Sequence, residues 1–213
     1  MQSRGTGHAL GKFPFRIATF GLAKLTQVIP GNRAAQSLFN AWLPTRGGAP
    51  LPISRELIRE ALADCWGIPD VFVDARCFRP PPRDWTSHHV GLSYELTRRL
   101  NVDDWNTFQL MWSNLMRDIN ASVGGSAPMN IVVYCRAGEK RSVAIAWLLA
   151  QALGVHAGGT MRGEPIKHLC MNFWGRNTCA GWDCTECYMS DRHRHLVVGL
   201  AEHTRVPGAH RDQ

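Results

Sequence analysis

The first 55 residues contain no aspartate or glutamate, although the chain of 213 residues has 17 acids in all. The same stretch carries seven cations, Arg4, Lys12, Arg16, Lys24, Arg33, Arg46 and Arg55, so the remainder balances 17 cations against 17 anions. The net charge of +7 therefore belongs to one segment and does not mark the rest as a nucleic-acid binder. Long apolar runs are missing too: none reaches the roughly 18 consecutive residues of a membrane-spanning helix, which excludes an integral helical membrane protein. No Gly-x4-Gly-Lys-Ser/Thr segment occurs, so no ATP site of the P-loop kind is expected. What is present, 45% hydrophobic residues and 8 Trp, is the composition of a chain that packs a core.

The acid-free segment also holds seven Ser or Thr with apolar groups between its charges, the makeup of an organelle import leader or of a flexible basic extension. Lys12, Arg16 and Lys24 interrupt any secretory apolar region. Pro44, Gly47, Gly48, Pro50 and Pro52 predict a linker. Residues 1–53 are accordingly expected to be a disordered leader and linker, residues 54–170 a folded domain, and residues 171–213 a Cys/His-rich extension. An odd total of seven Cys and the lack of a secretory signal favour a reducing compartment, hence a soluble intracellular protein, cytoplasmic by default.

Ser54 can cap a helix over 55–65, where Leu57, Ile58, Ala61, Leu62 and Cys65 recur at helical spacing before Gly67 and Pro69. Val71, Phe72 and Val73 predict a short buried strand, ended by the Pro80, Pro81, Pro82 run. Trp105, Phe108, Met111, Trp112, Leu115, Met116 and Ile119 draw one stripe along a second helix. Ile131 to Tyr134 predict another strand, followed by a loop and an Ala/Leu-rich helix to about Leu153, and a third strand is expected over 166–170. Strands alternating with helices predict an α/β fold with a mainly parallel sheet and flanking helices.

The loop Cys135-Arg136-Ala137-Gly138-Glu139-Lys140-Arg141-Ser142 joins strand to helix and carries the strongest chemical signal. Amides at a helix N-terminus favour an anion, Gly138 permits the tight course, and the Arg141 fork matches phosphate oxygens. A phosphate is the expected ligand. The same field would turn Cys135 into a thiolate nucleophile. The bland alternative is an inert buried thiol with Arg141 paired to a carboxylate.

The Cys-x2-Gly-x2-Arg-Ser pattern resembles the signature of cysteine-dependent tyrosine and dual-specificity phosphatases, with Tyr134 where those enzymes usually carry His. That resemblance implies Cys135 as nucleophile, Arg141 on the equatorial oxygens and Ser142 assisting thiolate departure. Asp103 or Asp104, 32 and 31 residues before Cys135, would be the general acid; their alternative is an exposed helix start before Trp105. A second resemblance covers about residues 69–170. VFVDARCFRP over 71–80, IVVYCRAGEKRSVAIA over 131–146 and His168-Leu169 resemble the C-terminal domain of the RapZ family of bacterial RNase adaptors. That resemblance implies a domain that binds a phosphorylated metabolite, such as an amino-sugar phosphate, and in bacteria also a small RNA. By motif position Cys135 to Ser142 would cradle the anion with Asp74 and Arg76 beside it, and Asp74 would orient Arg76 or Arg141. The alternative for Asp74 and Arg76 is an internal salt bridge. The His that follows the family's Pro segment is out of register here, with His88 or His89 as its replacement.

Four cysteines fall late, and Cys179-x4-Cys184-x2-Cys187 places three thiols on a Gly-containing turn. With Cys170, His168, His193 or His195 as fourth ligand, they predict a structural zinc site of Cys170, Cys179, Cys184 and Cys187; a redox pair or buried thiols are the alternatives.

Overall fold

The computed structural model describes residues 14–42, 52–81, 89–122, 128–156 and 166–174, together with Cys179, Cys184 and Cys187. Four strands form one parallel sheet: β1 (Phe15–Gly21), β2 (Val71–Asp74), β3 (Met129–Cys135) and β4 (Ile166–His168), in the spatial order β2-β3-β1-β4. The expected α/β fold with a parallel sheet is the one observed. β3 runs the full length of β1, from Phe15 opposite Met129 to Gly21 opposite Cys135. The expected third strand ends at His168, two residues early, because Leu169 and Cys170 turn toward the end of β1.

Strand alternation sends successive side chains to opposite faces. Ile17, Ile131, Val133 and Cys135 enter one core, covered by α5 (Trp105–Ser122) and α6 (Arg141–His156). Its helical stripe is the one expected, with Phe108, Met111, Trp112, Leu115 and Ile119 buried. Phe20, Phe72, Val132 and Tyr134 enter the other core, under α1 (Leu25–Val28), α2 (Arg33–Trp42) and α3 (Arg55–Leu62). The Ser54 hydroxyl accepts from the Leu57 amide at 3.2 Å, as a capping residue should. A short α4 (Tyr94–Arg98) and one π-helical turn over Arg99–Asp103 lead into α5.

The sheet corrects the expected domain limits. Residues 15–42, read as part of a disordered leader, supply β1, α1 and α2. β1 is an interior strand, bonded to β3 on one side and β4 on the other. Acid-free composition misled because these residues are apolar where it counts: Ile17, Ala18, Phe20, Leu22, Leu25, Ala34, Ala35 and Leu38 are buried. Of the expected linker, Pro44, Gly47, Gly48 and Pro50 lie outside the described residues and Pro52 is exposed.

This topology creates a switch point between β1 and β3. The chain leaves β1 toward the α1–α3 face and leaves the adjacent β3 toward the α5–α6 face. In parallel sheets ligands bind at the carboxyl ends of two such strands. Here those ends are Gly21 and Cys135, which stand opposite each other.

Candidate functional site

Cys135 is the last residue of β3 and α6 begins at Arg141, so the loop lies at the carboxyl edge of the sheet. Gly138 adopts φ +75°, a conformation that L side chains rarely hold. The peptide joining Ala137 and Gly138 lies against the end of β1. A Cβ added at Gly21 would stand 2.2 Å from the Ala137 carbonyl carbon and 2.5 Å from the Gly138 nitrogen. A Cβ on Gly91 would stand 2.0 Å from the Lys140 carbonyl oxygen. Glycines thus line the loop on two flanks.

The carbonyls of this loop are directed to protein donors. Arg136 O accepts from the Ala23 amide at 2.9 Å, Gly138 O from the Trp174 indole at 3.1 Å, and Glu139 O from the Gly91 amide at 2.9 Å. The amides of Ala137, Glu139 and Lys140 meet no acceptor among the described residues. Gly138 N donates to Cys135 Sγ at 3.2 Å, and the thiol lies 3.2 Å from Ser142 Oγ. Both groups can donate to a thiolate, since a hydroxyl rotates to suit. The Glu139 carboxylate pairs with Lys24, whose ammonium also donates to Phe173 O.

Arg141 is already engaged. Its Nη1 donates to the carbonyls of Arg76 at 3.1 Å and Phe78 at 2.7 Å. Those carbonyls belong to the turn that Asp74 fixes: its carboxylate accepts from the Arg76 amide at 2.9 Å and from Nη2 of Arg76 at 2.6 Å. The internal salt bridge and the positioning role are the same structure, because Asp74 sets the turn whose carbonyls hold Arg141. The Arg76 guanidinium lies over Tyr134, 5.8 Å from that ring. Burial first, then the Asp74 charge, pushes the Tyr134 phenol well above its ordinary range.

The two candidate acids differ. Asp104 is buried, accepts from the Arg79 amide at 3.3 Å and pairs with that residue's guanidinium at 3.4 Å. Its expected exposure at a helix start is thus corrected: the carboxylate is folded under the 78–81 segment. Asp103 is half-exposed and pairs with Arg98 at 3.3 Å.

The late cysteines do gather, with one change of partner. Ligand atoms of His89, Cys179, Cys184 and Cys187 lie within 4.8 Å of one another, a group that could hold a metal ion. Cys170 is not among them. Its sulfur accepts from the Gly21 amide at 3.2 Å, and burial pushes its thiol up to about 11. His168 is likewise occupied, with Nδ1 2.8 Å from Thr19 Oγ1, while His193 and His195 lie outside the described residues. His89 stands 90 residues before Cys179 in sequence, so cysteine spacing could not select it; the only signal was its position after the Pro run. Among the described residues Lys140 Nζ is buried without a hydrogen-bond partner; burial lowers its pKa while Glu139, Cys179 and Cys187 oppose that shift.

The fold and site together define a parallel α/β domain with a Gly-lined strand–loop–helix turn at its switch point. Comparison with protein-family models, with curated proteins and with solved structures finds no match to this chain. Among the described residues no helix is long and apolar enough to cross a membrane.

Proposed function

We propose that this domain binds the phosphate of a phosphorylated small molecule at the Cys135 to Ser142 loop. The observation that carries the reading is the split in that loop's backbone: its carbonyls are directed to Ala23, Trp174 and Gly91, while the amides of Ala137, Glu139 and Lys140 have no described acceptor. Amides in such a turn, at the start of α6, make an anion-binding concavity reinforced by the helix dipole. The RapZ-like segments at 71–80 and 131–146 favour an amino-sugar phosphate as the ligand. The late cysteines serve structure in this reading, as ligands of one metal ion.

Binding is favoured over turnover because the partners that phosphoryl transfer needs are engaged elsewhere. Arg141 is held by two carbonyls, Asp104 by Arg79 and Asp103 by Arg98. One observation supports the cysteine phosphatase as second reading: Cys135 Sγ has both the Gly138 amide and the Ser142 hydroxyl at 3.2 Å, two donors for a thiolate.

Melting curves of the full chain with glucosamine 6-phosphate, inorganic phosphate and a short structured RNA test the proposal. A native-state ligand at about 100 times its dissociation constant adds about 2.7 kcal/mol of stability, so the sugar phosphate should raise Tm clearly and RNA should not. Failure of every phosphate to raise Tm would overturn anion binding. Hydrolysis of an aryl phosphate that disappears in Cys135→Ser would replace the binding module with the enzyme.

A further inference from the structure

We infer that His89, Cys179, Cys184 and Cys187 bind one Zn2+ in a closed structural site, and that this metal clamps the cysteine-rich end onto the flank of the 136–142 loop. Four of the six distances between the ligand atoms are close to the edges of a coordination tetrahedron, and all six are within 4.8 Å. Zinc bonds of about 2.3 Å to sulfur and 2.0–2.1 Å to nitrogen imply edges of roughly 3.8 Å between sulfurs and roughly 3.5 Å between sulfur and nitrogen. Cys179 and Cys187 sulfurs are 3.5 Å apart, and His89 Nδ1 is 3.4, 3.6 and 3.9 Å from Cys184, Cys187 and Cys179. Three thiolates and an imidazole suit zinc, and four protein ligands leave no open position for substrate. A Cys179–Cys187 disulfide would account for two of these groups and leave the convergence of Cys184 and His89 unexplained.

A second observation is on the loop itself: among the described residues, Lys140 Nζ is buried with no hydrogen-bond partner. His89 is two residues from Gly91, whose amide bonds Glu139 O at 2.9 Å. The metal therefore grips the loop through the backbone at 89–91. Its consequence for ligand binding rests on the anion reading; the metal site itself does not.

Zinc content of the full chain after gel filtration, with Co2+ substitution as a spectroscopic probe, tests the ligand set without any anion present. About one zinc per chain is expected in the native protein and in Cys170→Ser, with tetrahedral cobalt bands carrying thiolate charge transfer. Cys184→Ser should lose the metal, and His89→Ala should lose it or change the cobalt spectrum. His89→Cys should restore stoichiometric binding with an altered spectrum, which guards against a variant that fails to fold. Chelation should speed hydrogen exchange of the Ala23 and Gly91 amides, which are bonded to the loop carbonyls of Arg136 and Glu139, by about tenfold. Absence of stoichiometric metal, a native Cys179–Cys187 disulfide, or metal lost in Cys170→Ser but kept in Cys184→Ser would overturn the site. Unchanged exchange on chelation would overturn the clamp.

Discussion

Gly21 and Gly138 let two backbones touch at the centre of the site, and no other residue type fits at Gly21. A methyl group there would stand 2.2 Å from the Ala137 carbonyl carbon and 2.4 Å from its oxygen, so the loop would have to move. Gly21→Ala should cost at least about 2 kcal/mol, the range of backbone clashes and overpacking, and should abolish any phosphate-induced rise in Tm. Denaturant unfolding checks the first part; a stability equal to the native protein's would contradict the packing. His168 provides a pH-dependent counterpart. Burial holds its imidazole down to about 4 from 6.5, with Thr19 at 2.8 Å. Between those values the unfolded chain binds a proton that the folded chain excludes, so stability rises with pH. His168 should therefore contribute fully above pH 6.5 and progressively less as pH falls toward about 4, a loss of order 2–3 kcal/mol. Unfolding curves from pH 7 to 4 check it: His168→Gln should flatten the slope, and an unchanged slope refutes the assignment.

At the scale of elements, β1 decides whether there is a domain. It pairs along seven residues with β3 and along three with β4, and β4 has no other described neighbour in the sheet. Removing residues 1–53 would also take Leu22, Leu25, Ala34, Ala35 and Leu38 off the face formed by Phe72, Val132 and Tyr134. The fragment 54–213 should therefore show no cooperative thermal transition by circular dichroism, whereas the full chain should melt in one step. A cooperative melt of the fragment would refute this. Helical and strand periodicity in α3, α5, β2 and β3 was readable because the contacts that bury those residues act along the whole repeat. β1 was harder to read: Arg16 breaks its apolar run, and its burial comes from two strands supplied much later in the chain.

For the whole molecule, the site sits where the adjacent parallel strands β1 and β3 send their connections to opposite faces. The loop there is gripped by four remote segments: 21–24 through Ala23 and Lys24, 76–78 through the carbonyls that hold Arg141, 89–91 through Gly91, and 173–174 through Trp174. A metal ion held by His89, Cys179, Cys184 and Cys187 would tie the 89–91 segment to the late cysteines. Zinc removal should therefore lower the melting temperature of the whole domain by several degrees, and added zinc should restore it, since binding to the native state is linked to folding. Calorimetry with and without chelator checks this. A melt unaffected by chelation would mean that the cysteine-rich end does not brace the domain.

Local chemistry was fixed by the sequence itself: a strand ending in Cys135, a glycine at the tight point of the loop, a helix starting at Arg141, and three thiols close enough in the chain to share a turn. Each rests on neighbours a few residues apart, where covalent geometry limits the outcomes. Tertiary structure alone chose Gly21 as the residue against the loop, Arg76 and Phe78 as the carbonyls holding Arg141, and His89 rather than Cys170 as the companion of the late cysteines. Those partners are separated by roughly sixty or more residues, and only the strand order, which no local pattern encodes, brings them together.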